Sequence, residues 1–152
     1  MIHFSDLLAA ARVRAALPVR DKTDLVERLS GLLADDGDAA VVREALAARE
    51  RLGTTALGHG VAIPHGRSAE IREARAAFVR LAEPIEFGAD DGRPVDLIAA
   101  LVVPAHFTDQ HLKLLAELAE LFSDTSTTAA LRSAPDADTL LALLRRAVGA
   151  GG

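Results

Sequence analysis

The stretch VDLIAALVV, residues 95–103, constrains the fold more than any other part of the chain. Apart from Asp96 it is apolar throughout, with none of the alternation that a strand with one wet face would show. Such a run is expected to be a central strand covered on both sides, ended by Pro104. A strand of that kind needs helices on both faces, so the expected fold class is α/β, a single layered domain. With 152 residues, half of them hydrophobic, the chain can bury one sizeable core and has little room for a second.

The helices are legible in the flanking sequence. Residues 21–36 repeat Leu25, Leu29, Leu32 and Leu33 at amphipathic spacing, with acidic residues at the start. Residues 38–51 predict a second helix, ending before Gly53. A short helical piece and a strand over Val13–Leu17 are expected before Pro18. AAFVRLA, residues 76–82, alternates like a strand with one wet face. Thr108 is the expected N-cap of a long helix through Phe122, with Leu112, Leu115, Ala116 and Ala119 toward the core. Helices over 125–133 and 136–147 close the chain. Three or four strands are expected in all, with no internal repeat and no linker.

Several classes of function are excluded by inventory. Cysteine is absent, which rules out disulfides, thiolate nucleophiles and cysteine-ligated zinc. The net charge of −5 argues against a general nucleic-acid surface, and no tryptophan or tyrosine is present to stack bases. No apolar run reaches the roughly 18 residues of a membrane span, and the N-terminus, with Asp6, lacks the form of a secretion signal. A cytoplasmic protein without direct membrane insertion is expected.

The segment GHGVAIPHGR, residues 58–67, carries the chemistry. It holds a G-x-G, but no lysine follows and the dinucleotide spacing fails at Ile63, so a nucleotide loop is not supported. Pro64 fixes the backbone ahead of His65, and the surrounding glycines permit close approach of a ligand or a second protein. The glycine-bounded loop is expected to present the His65 ring to solvent. His111 falls near the start of the helix after the central strand, where the positive helix end disfavours a second proton and outward N–H groups favour an anion. Position alone leaves it equally readable as a solvated first-turn histidine. No H-E-x-x-H or H-x-x-x-H pair exists, so no metal site is expected. His3 and His106 read as surface and loop residues.

The segment RERLGTTALGHGVAIPHGR, Arg49 to Arg67, resembles the signature of enzyme IIA domains of the bacterial phosphoenolpyruvate-dependent phosphotransferase system, fructose/mannitol/nitrogen-regulatory class. The resemblance continues through residues 84–105 and 109–122, in family order, and the blocks around PVDLIAALVVPA look most like the nitrogen-regulatory type. It implies a small mixed sheet flanked by helices over residues 1–148, with 149–152 as a flexible tail. It further implies that His65 accepts a phosphoryl group from the phosphorylated carrier HPr, that His111 lies beside it, and that Arg49 helps hold the group. The Gly66 N–H is a further candidate donor. Two positions depart from the family pattern: Ala56 stands where glycine is usual, and His59 where asparagine is frequent. Ala56 implies a negative φ or a slightly altered loop, and His59 is expected to face water.

Imidazole suits this chemistry, being nucleophilic near neutral pH and forming an N–P bond reactive enough to pass the group onward. The loose transition state puts charge on equatorial oxygens, so surrounding donors matter more than a separate base. No cofactor is expected, because the donor is already phosphorylated. The resemblance leaves open a nitrogen-type regulator acting on target proteins, a sugar-specific component feeding a separate IIB cysteine, and a binding module that never carries phosphate.

Overall fold

A computed structural model describes the backbone of residues 2–151 and the side chains of residues 2–147. Six strands form one mixed sheet: β1 (Val13–Leu17), β2 (Ala56–Gly58), β3 (Val61–Ala62), β4 (His65–Ser68), β5 (Arg75–Ile85) and β6 (Val95–Pro104). The order is β1-β5-β6-β3-β2, and β4 also pairs with β6, beyond β3. β6 runs antiparallel to β5 and parallel to both β3 and β4. Five α-helices, α1 (Lys22–Leu33), α2 (Ala39–Arg51), α3 (Asp109–Ser123), α4 (Thr125–Ser133) and α5 (Ala137–Gly151), follow two short 3-10 turns.

The uninterrupted apolar run does what its composition requires. Leu97, Ala99, Leu101 and Val103 of β6 enter one core, packed on Leu114, Leu118, Leu131 and Leu140 of α3, α4 and α5. The intervening Ile98, Ala100 and Val102 enter the other, against Leu25, Leu29, Val42 and Leu46 of α1 and α2. Alternate residues of a strand face opposite layers, so a strand apolar at every position makes two cores.

Several expectations need correction. β5 does not have one wet face: Ala76 and Phe78 join one core while Ala77 and Val79 join the other. Arg80 gave the polar signal, yet it donates to the carbonyls of Ala15, Leu131, Arg132 and Ala134, and Arg75, just ahead of the expected strand, is buried and paired with Asp38. α3 buries Leu114, Leu118 and Phe122, whereas Leu112 is 67% exposed and Ala116 and Ala119 lie outside. Thr108 is the N-cap of α3 as expected, its carbonyl accepting from Leu112 N–H at 3.2 Å, although its side chain makes no capping bond. The remaining strands beyond the expected number are the short β2 and β4, cut from the glycine-rich segment. α5 continues to Gly151, past the expected end at 147, and Gly152 lies outside the described residues.

Candidate functional site

The chain leaves α2 at Arg51 and reaches the sheet through a hydrogen bond from Ile63 N–H to the Thr55 carbonyl, 3.0 Å. Between them β2 and β3 form a hairpin whose turn runs through Gly58, His59 and Gly60 at φ of 92°, 55° and 79°. His59 tolerates this left-handed backbone because both of its peptide groups are held, the N–H by Asp91 and the carbonyl by Arg132. Its side chain is exposed and does not line the cleft described below, as expected of a residue facing water. Ala56 sits in β2 without a positive φ.

His65 begins β4 rather than ending a strand, in register with Leu101. The expectation that its ring is presented to solvent is overturned: the residue is only 7% exposed, because ladder pairing to β6 draws this part of the chain into the domain. Gly66 follows in register with Val102, and α2 lies directly over it. A β-carbon at residue 66 would meet the backbone carbon of Ala45 at 2.6 Å.

An open cleft of about 500 Å³ is lined by the last turns of α2, the start of β4 and the first turns of α3. It brings together the four site residues expected from the sequence, His65, Gly66, Arg49 and His111. The two imidazoles stand edge to face, centroids 5.3 Å apart at 79°. Arg49 spends one N–H on the Gly53 carbonyl at 2.9 Å and has no carboxylate partner among the described residues; its neighbour Glu50 pairs with Lys22 instead. His3, paired with Glu117, and the exposed His106 take no part in the lining.

Hydrogen bonding selects one form of His65. Nδ1 lies 2.8 Å from the Ile63 carbonyl, which can only accept, so Nδ1 carries the proton and Nε2 keeps its lone pair. Burial pushes the His65 pKa below its ordinary value; the Ile63 carbonyl and Glu50 pull the other way, while Arg49 adds to the lowering. His111 is driven further, to about 4, first by burial and then by His65 and Arg67. Its Nε2 is buried without a hydrogen-bond partner. Two neutral imidazoles at pH 7, one with a free lone pair and one with an unused polar atom, make a site ready for an electrophile carrying anionic oxygens.

Sequence reasoning gave no role to Arg67 and assigned Leu112 and Leu115 to the core, yet all three also line the cleft. For Arg67 a signal existed, since it lies two residues from His65 on one strand and therefore on the same face.

The depressed histidines carry a stability prediction. Folding holds His111 neutral, so the unfolded chain takes up protons more readily once pH falls below about 6.5. This part of the stability is complete above that value and declines as pH drops from about 6.5 toward about 4. Denaturant midpoints of His111→Ala are expected to fall less steeply across that window than those of the native chain. Parallel curves would remove His111 from the account.

The open six-stranded mixed sheet flanked by five helices is the fold of a phosphotransferase-system IIA domain. The chain belongs to the family described as phosphoenolpyruvate-dependent sugar phosphotransferase system, EIIA 2, which matches residues 6–147. The crystal structure of nitrogen regulatory protein IIA-Ntr from Neisseria meningitidis is similar, with 40% identity, a TM-score of 0.87, and coverage of 92% of this chain and 97% of that one. The nitrogen regulatory protein of Pseudomonas aeruginosa is 42% identical over 62 residues, 41% of this chain and 40% of the relative. A homologue from Haemophilus influenzae is 41% identical over 63 residues, 41% of this chain and 38% of the relative. The match thus spans about two fifths of the length of these curated relatives. The fold is shared more widely: IIA of mannitol in its complex with phosphorylated IIB from Escherichia coli has a TM-score of 0.76 at 21% identity, over 91% of this chain and 97% of that one. Among the described residues no helix is long and apolar enough to cross a membrane.

Proposed function

We propose that this protein is a phosphohistidine carrier of the phosphotransferase system that accepts a phosphoryl group on His65 Nε2 from a phosphorylated HPr-type protein and acts as a nitrogen-type regulatory IIA protein. The observation that carries the reading is the buried, neutral His65, with Nδ1–H tied to Ile63 and Nε2 free, beside the unpartnered Nε2 of His111. In the transfer the Nε2–phosphorus bond forms as the bond from phosphorus to the donor breaks, and the bonding pair leaves with the donor. His111 and the arginine fork of Arg49 supply donors to the equatorial oxygens. The Gly66 N–H is a further candidate donor, and the residue's lack of a side chain also admits α2 close to β4. The reading calls for no cofactor. The 40% identity to the nitrogen regulatory structure over nearly the whole chain, against 21% for the mannitol protein, supports a regulatory role over sugar transport.

Incubation with phosphoenolpyruvate, enzyme I and HPr is expected to add one phosphoryl group, in a linkage that acid cleaves and base does not. No uptake would sink the proposal. Rapid drainage of the label onto a IIB cysteine, with partner proteins indifferent to phosphorylation, would favour the sugar-specific alternative.

His111→Ala is expected to take up the same group more slowly, by about 10- to 1000-fold, since it loses one donor and keeps the attacking nitrogen. Stopped-time labelling measures this directly. An unchanged rate would leave His111 as a packing residue.

A further inference from the structure

Glu50 occupies an unfavourable place for a carboxylate. It lies in the last turn of α2, where the helix dipole repels negative charge, and its side chain is only 8% exposed. Its oxygens are nonetheless fully engaged. One accepts the Thr55 hydroxyl, and the other faces Thr55 N–H at 3.4 Å and Lys22 Nζ at 2.8 Å. Lys22, the first residue of α1, is itself seated over the Phe87 ring, 4.4 Å from its centroid. With the carboxylate enclosed and Lys22 still 31% exposed, the pair adds little stability of its own, so the placement of Glu50 asks for another explanation.

The hydrogen bonds continue beyond Thr55. Its carbonyl accepts Ile63 N–H at 3.0 Å, and the Ile63 carbonyl accepts His65 Nδ1–H at 2.8 Å. Glu50 therefore fixes Thr55, Thr55 fixes the Ile63 backbone, and that backbone decides which imidazole nitrogen carries the proton. We propose that Glu50 is a positioning residue for His65, holding the ring through Thr55 and Ile63 with Nδ1–H engaged and Nε2 free for attack. The inference rests on the reading that His65 is the phosphoryl acceptor, and it gives Glu50 no contact with the transferring group. The charge of Glu50 also acts on His65 against the opposing charge of Arg49, while His111 and its neighbour Arg67 complete the titratable and charged surroundings.

The test reads the tautomer in the unphosphorylated protein, from ring nitrogen chemical shifts of ¹⁵N-histidine-labelled samples, and is independent of phosphotransfer. Native protein is expected to show the Nδ1–H form; a dominant Nε2–H form would overturn the proposal with no variant needed. Glu50→Gln and Thr55→Val are expected to populate both tautomers and to slow phosphoryl uptake by about 10- to 100-fold, the scale of a misplaced reacting group. Thr55→Ser keeps the hydroxyl and is expected to match the native protein in both. Glu50→Gln should also move the His65 titration midpoint further down, because it removes a charge that favours the protonated ring. Native tautomer, midpoint and rate in folded Glu50→Gln would leave the residue as a counter-ion for Lys22 and overturn the proposal. Native protein with the expected tautomer but no phosphoryl uptake would count against phosphotransfer and not against the network.

Discussion

His65→Ala takes up no phosphoryl group under conditions in which the native chain is labelled: this is the largest functional effect expected of any single substitution. Its neighbour His111 does not substitute for it. An imidazole whose pKa is held at about 4 is a weak base and a correspondingly weak nucleophile, and its Nε2 has no hydrogen-bonded partner to orient it. Burial of His65 raises the objection that alanine merely unfolds the domain. The ring, however, lines the open cleft rather than either core, so circular dichroism and thermal melting are expected to show a folded protein. Intact mass after incubation with the phosphorylated carrier decides the matter, and a labelled His65→Ala would transfer the acceptor role to another residue.

A phosphoryl group adds close to two negative charges. Placed at His65, that charge falls in the cleft that Arg49, Arg67 and the exposed apolar side chains of Leu52 and Leu112 also line. A partner docking there would meet a different potential on an unchanged scaffold. Under the proposed function, the added charge in this cleft is what distinguishes the two forms for a docking partner.

How much of this was legible depended on whether polarity reported burial. It did in β6, where the apolar run predicted two covered faces and both cores followed. It failed in β5, where Arg80 reads as a solvent contact but is satisfied by the carbonyls at the end of α4. Along α3 the leucines form two apolar stripes, and periodicity does not say which meets the core. Leu114 and Leu118 do, Leu115 packs on the same core while also bordering the cleft, and Leu112 stands exposed beside it. His65 and His111 are far apart in sequence, and no spacing rule joins them; the resemblance supplied the pair and the parallel β4–β6 ladder explains it. Glu50 was passed over because a carboxylate beside Arg49 reads as its surface partner, whereas the helix turns the two side chains to different neighbours.

Gly66→Ala is expected to produce the largest loss of stability relative to the size of the change. One methyl group at residue 66 would lie 2.6 Å from the Ala45 backbone carbon, 2.7 Å from its oxygen and 2.8 Å from its β-carbon, well inside contact distance. The backbone of Gly66 is not in the left-handed region, so the penalty is steric and comes from driving α2 away from β4. Overpacking of this kind costs about 1–3 kcal/mol. At roughly 2–4 °C per kcal/mol for a domain of this size, the melting temperature should fall by several degrees. Because α2 carries both Arg49 and Glu50, the same displacement is expected to slow phosphoryl uptake. Gly31→Ala is the control: a β-carbon there meets nothing within 4 Å, and alanine in a helix interior is neutral or stabilising by up to about 1 kcal/mol. Adding Ala45→Gly to Gly66→Ala removes only the farthest of the three clashing atoms, so it should not restore stability. Full recovery in that double variant, or a native melting temperature for Gly66→Ala, would mean that α2 does not press on β4 at this point.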